Sequence, residues 1–153
     1  MTVFTRRQLY YVTIKHECGG GVPGHCAWFK TNARDPDYYA TSGEYRKEIE
    51  RLLGGPISEK IGMSESSEGE LGYADVQVAA WLTAVMKFGP PEIIGWSFDE
   101  VKGEVELALY EIRDEVERTL TGRWRAVEAV TRALLEQETL KGRQVRQLVK
   151  SLD

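Results

Sequence analysis

The chain has 153 residues, of which 42% are hydrophobic and 29% charged, and its formal net charge is −4. That length and balance suit one soluble globular domain with a real core, and they exclude a disordered chain or a disulfide scaffold. The acidic balance argues against a nucleic-acid backbone as partner.

The opening Met-Thr-Val-Phe-Thr-Arg-Arg is followed by no apolar run of signal-peptide type. Nowhere do about 18 apolar residues run together, so no membrane span is expected. The expectation is a cytoplasmic protein with Cys18 and Cys26 as reduced thiols, a disulfide between them being the minor reading. Gln8 to Ile14 is rich in β-branched and aromatic residues and reads as a strand, or equally as a short helix with Leu9 and Val12 on one face. Gly19-Gly20-Gly21 stops any regular element. Pro23 could open a helix through Ala27, Trp28 and Phe29. Asp35-Pro36-Asp37 marks a loop.

From Thr41 onward the pattern is helical. Thr41 with Glu44 is a capping box, Ile49, Leu52 and Leu53 follow on one face, and Gly54-Gly55-Pro56 predicts the helix end. Met63 to Gly72 is polar and loop-like. Asp75 to Phe88 is apolar nearly all round, which predicts a central, buried helix closed by Gly89-Pro90-Pro91. Ser97 and Glu100 form a second capping box. Behind it Val101, Val105, Leu109, Ile112, Val116 and Leu120 make a one-sided stripe up to Thr121-Gly122. Trp124, Val127, Val130, Leu134 and Leu135 mark the next helix, and Val145, Leu148 and Leu152 a last short one. Lys141, Arg143, Arg146 and Lys150 crowd the end of the chain, where a solvated face favoured by a helix C-terminus accounts for them. The expected fold is all-α, a compact bundle of six or seven helices in a single domain over residues 1–153.

Three patterns bear on chemistry. Gly19-x-Gly21-x-x-Gly24 has dinucleotide-binding spacing but no second strand for a βαβ unit. No Gly-x4-Gly-Lys-Ser/Thr loop is present, so no nucleotide is expected. His16, Glu17, Cys18, His25 and Cys26 are metal-ligand types within eleven residues, yet their spacing suits neither a structural zinc site nor a regular helix carrying both histidines.

Longer stretches carry a resemblance. Leu134-Leu135-Glu136-x-Glu138-Thr139-Leu140-x-Gly142-x-x-Val145-x-x-Leu148 resembles the closing signature of the peptidase domain of FtsH-type, ATP-dependent zinc proteases. Leu52-Leu53-Gly54-Gly55-x-x-x-Glu59 and Ala74-Asp75-Val76 are similar to that family's Leu-Gly-Gly helix end and its Asn-Asp-Leu. The resemblance is collinear from Glu44 to Leu148, with residues 1–42 divergent and 43–153 the helical part. It implies a zinc site in which His16, His25 and Asp75 hold the metal and Glu17 serves as general base. The family motif is His-Glu-Ala-Gly-His-Ala. This chain has either His16-Glu17-Cys18-Gly19 with five residues inserted before His25, or Pro23-Gly24-His25-Cys26-Ala27 in a register that puts Gly21 and Val22 at the first ligand and the base. The segment after the motif is shortened to Thr31–Ser42, and no ATPase module or membrane anchor stands in the sequence. The resulting expectation is a zinc metallopeptidase-like domain impaired or inactive in proteolysis, with zinc as its cofactor and a peptide or protein as partner. The alternative is a non-catalytic helical binding or regulatory module derived from the same fold.

Overall fold

The structure is a computed structural model that describes residues 9–15, 25–28, 41–63 and 73–152. The described residues form six helices and three short strands, an all-α architecture with one small sheet. In chain order these are β1 (Leu9–Thr13), β2 (His25–Trp28), α1 (Ser42–Gly62), α2 (Tyr73–Phe88), α3 (Pro91–Ile94), α4 (Phe98–Gly122), α5 (Trp124–Gln137), β3 (Thr139–Lys141) and α6 (Gly142–Lys150). They divide into two compact units: α1 to α4, and the sheet with α5 and α6.

In the helical unit, α1 opens as expected. The Thr41 hydroxyl accepts from the Glu44 N–H and the Glu44 carboxylate accepts from the Thr41 N–H. The helix does not end at Gly54-Gly55-Pro56. It continues to Gly62 with Pro56 inside. Pro56 lacks the N–H that would reach back four residues. The next residue, Ile57, is 2% exposed, on the same buried face as Ile49 and Leu53. Burying such a side chain is worth about 1.5–3 kcal/mol, enough to offset much of the proline's cost of about 3 kcal/mol. Packing therefore overrides the local stop signal.

The apolar helix α2 is buried in its second half, through Ala79 and the consecutive Leu82, Thr83, Ala84 and Val85, while Tyr73, Ala74 and Asp75 at its start are exposed. Val78 and Trp81 are 48% and 42% exposed, which corrects the expectation of a helix buried along its whole length. Its apolar surplus partly feeds an aromatic cluster: the Trp81 and Trp96 rings lie 5.4 Å apart, and those of Phe88 and Trp96 6.3 Å. Gly89 ends α2 at φ +82, a left-handed conformation that glycine adopts freely. The Trp96 indole N–H donates to its carbonyl.

The α4 stripe is as expected, with Val105, Leu109, Ile112, Val116 and Leu120 all buried. At its start the Glu100 carboxylate accepts from both the N–H and the hydroxyl of Ser97. The Ser97 backbone bond, then the hydroxyl, draw the Glu100 carboxyl below the usual range. Ion pairs Lys60–Glu117 and Lys87–Glu104 join α4 to α1 and α2.

Glu50 on α1 behaves in the opposite sense. Burial pushes its carboxyl above the usual range, the nearby Glu115 adds to this, and Arg46 and Lys47 oppose it. Arg46 bonds to both Glu50 and Glu115. A raised carboxyl holds its proton to higher pH in the folded state. Its contribution to stability is therefore full below the ordinary value of 4.5 and is lost as pH rises through the folded value. Glu50→Gln should be more stable than wild type at pH 7, and thermal melts at descending pH should show that advantage vanish below 4.5.

The second unit is built around a sheet of order β2-β1-β3, antiparallel throughout. Its core joins Leu9 to Ala126, Leu134, Leu140, Val145 and Val149. Leu135 is 71% exposed and Leu152 lies beyond α6, so neither is in the core as their spacing suggested. Gly142 starts α6 directly against β1. A Cβ there would lie 1.8 Å from the Leu9 carbonyl oxygen, so only glycine permits the approach.

Candidate functional site

β1 ends at Thr13, three positions before His16 in the sequence. Thr13, 5% exposed, is tied down there from three directions. Its hydroxyl donates to the Glu138 carbonyl at 3.0 Å, bonds the Thr139 hydroxyl at 2.8 Å and accepts from the Lys15 N–H at 3.1 Å. With one hydrogen on Thr13, the consistent assignment has Thr139 donating to it. The Ile14 N–H also donates to the Glu138 carbonyl. Glu138 itself caps α5 at φ 58, a left-handed conformation uncommon outside glycine. Its carboxylate reaches the Lys15 ammonium at 3.1 Å, a pair more than half exposed and of small energetic weight.

The residues of the closing signature thus have a structural task. Glu138 and Thr139 hold the end of β1, Leu140 fills the core behind it, and Gly142 lets α6 approach its start. The sequence supplied these residues but not their task, because the Thr13–Thr139 pairing spans 126 positions.

The expected ligand residues are placed as follows. His16 and Glu17 lie outside the described residues, as do Cys18 and the glycines from Gly19 to Gly24. His25 is the first residue of β2 and pairs with Thr13, and Cys26 pairs with Val12. This corrects the expectation that Pro23 opens a helix through Ala27 and Trp28. The cross-strand bonds to β1 claim the backbone that a helix would use for itself. Asp75 stands in the exposed first turn of α2, in the other unit. Among the described residues no three His, Cys, Asp or Glu side chains form a group that could hold a metal. The antiparallel pairing of β1 and β2 is not the parallel βαβ arrangement that the Gly-x-Gly-x-x-Gly spacing requires. Among the described residues no helix is long and apolar enough to cross a membrane.

No family model matches the chain. It is similar to the ATP-dependent zinc metalloprotease FtsH of Leptotrichia buccalis, 31% identical over an alignment of 130 residues that takes in 71% of this chain. The chain spans 17% of that protein's length. The two are distantly related. The motifs quoted above put the resemblance in the peptidase region of FtsH-type proteins, and the chain is a peptidase-related helical protein on that evidence.

Proposed function

We propose that this chain is a metallopeptidase-derived module whose proteolytic turnover is impaired or lost. The observation that carries this reading is the strand at His25. In a His-Glu-x-x-His peptidase both histidines stand four apart on one helix, which turns them to a single metal. Residues in extended backbone, paired across to Thr13, do not provide that frame. A catalytic metal centre loses activity when its ligands are displaced by even about an ångström.

A second reading retains zinc, supported by the similarity to a zinc metalloprotease and by the order His16-Glu17, His25, Asp75. The donor types suit the ion. His16, His25 and Asp75 would hold it with Glu17 beside the open position, and bound zinc would supply an activated water. His25 stands in a strand and not in that helical frame.

Purified full-length chain, prepared without chelator, separates the readings. The expected result is no stoichiometric zinc by elemental analysis and no cleavage of a stably folded substrate. Slow hydrolysis of flexible peptides is the most that the account tolerates. Bound zinc lost in both His25→Ala and Asp75→Ala would establish the second reading. Chelator-sensitive degradation of a folded substrate, abolished in Glu17→Gln, would overturn the first.

A further inference from the structure

The basic end of the chain is not accounted for by helix electrostatics. Because α6 begins at Gly142, Lys141 is its N-cap and Arg143 lies in its first turn, with no acidic residue there. Cations at a helix N-terminus are disfavoured by the dipole, and Lys150 alone sits in the last turn, where they are favoured. From Thr139 to Leu152 the sequence has four basic residues and no acidic one.

These residues share one side of the helix. Arg143, Arg146, Gln147 and Lys150 recur at intervals of three and four and are all exposed, while Val145 and Val149 face the core. Arg143 and Lys150 form no ion pair among the described residues. Arg146 spends one N–H on the Leu9 carbonyl at 3.4 Å. Beside this face, between α5, β3 and α6, runs an open groove of about 410 Å³. Its rim carries the amides of Gln137, Gln144 and Gln147, and its floor is Ala133, Leu140 and Leu148. Gln144 is engaged, accepting from the Lys141 N–H and donating to the Gln137 side-chain oxygen. The Gln147 side-chain amide makes no hydrogen bond among the described residues.

We propose that the outer face of α6 and the adjoining groove dock an acidic peptide segment. Carboxylates match a row of cations that lacks any acidic neighbour on its own helix. A side-chain amide offers a donor and an acceptor together, which is what an extended peptide backbone needs. Among the described residues no aromatic side chain lines the groove, so they offer no platform for stacking bases of a single-stranded nucleic acid. This inference uses none of His16, Glu17, His25 and Asp75 and stands whether or not zinc binds.

The test is fluorescence anisotropy of a labelled peptide of alternating glutamate and glycine, titrated with the full-length chain at low ionic strength. The expected binding weakens as salt is raised. The double variant Arg143→Gln/Lys150→Gln should weaken it by about fivefold, in line with two exposed charge pairs, and leave the melting temperature unchanged. Gln147→Ala should weaken it as well, since the groove contributes backbone contacts. The proposal is overturned if the peptide does not bind, or if its lysine–glycine counterpart binds equally. It is also overturned if the double variant binds as wild type does, or if an oligothymidylate of equal charge binds more tightly.

Discussion

Gly142→Ala should be among the most damaging single-atom additions in this protein. The new Cβ would stand 1.8 Å from the Leu9 carbonyl oxygen and 2.6 Å from its carbonyl carbon. Both obstacles are backbone, so no rotamer change relieves them. Overpacking typically costs about 1–3 kcal/mol, and a clash with a paired strand belongs at or above the top of that range. Either α6 retreats from β1, opening the core around Leu140 and Val145, or β1 shifts against β3. Chemical denaturation should show a loss of about 3 kcal/mol, and hydrogen exchange should place the loosening in β1 and α6. Gly55→Ala is the control. Nothing lies within 4 Å of a Cβ there, so the same substitution should leave the sheet unit untouched.

Ile57→Ala should cost about 2–5 kcal/mol, the range for truncating a fully buried aliphatic side chain. Its size discriminates between two accounts of α1. If the helix ended at Gly54-Gly55-Pro56, Ile57 would be a loop residue and its truncation would cost little. With the helix running to Gly62, Ile57 is 2% exposed and its loss leaves a cavity. Urea unfolding of Ile57→Ala beside Ile93→Ala, where the side chain is 77% exposed, gives the comparison directly. The second variant should fall within about 0.5 kcal/mol of wild type.

The legible parts of the fold were those whose signal is local and periodic. The α4 stripe repeats over five turns, and the Thr41–Glu44 cap lies within four residues, so both could be read from sequence. α2 was legible as a helix but not in the extent of its burial, because residues apolar on every side do not say how far along the helix its neighbours reach. β3 has three residues, too few for any periodicity, and its place beside β1 depends on a partner more than a hundred positions away. The basic cluster was misread for a related reason: whether Lys141 and Arg143 stand at the favourable or the unfavourable helix end depends on where α6 starts.

The backbone around the candidate site was the part that the sequence did not convey. The ligand set His16, His25 and Asp75 came from the FtsH resemblance and not from the residue types alone, and the distant FtsH relationship agrees with that resemblance without reaching the individual ligands. The conformation at His25 was not legible. Pro23 is a good first residue of a helix, yet the following residues gain a ladder of bonds to β1, itself held on its other edge by β3. A local preference of this kind gives way to a strand partner already fixed by the core.

The backbone of residues 25–28 in solution is therefore the decisive quantity, and backbone-directed NMR on isotopically labelled full-length chain measures it. The account predicts cross-strand contacts of Cys26 with Val12 and of His25 with Thr13, together with extended-chain chemical shifts from His25 to Trp28. Sequential amide contacts and helical shifts through the same residues, with no contact to β1, would contradict it and would restore the helix on which a peptidase metal site is built.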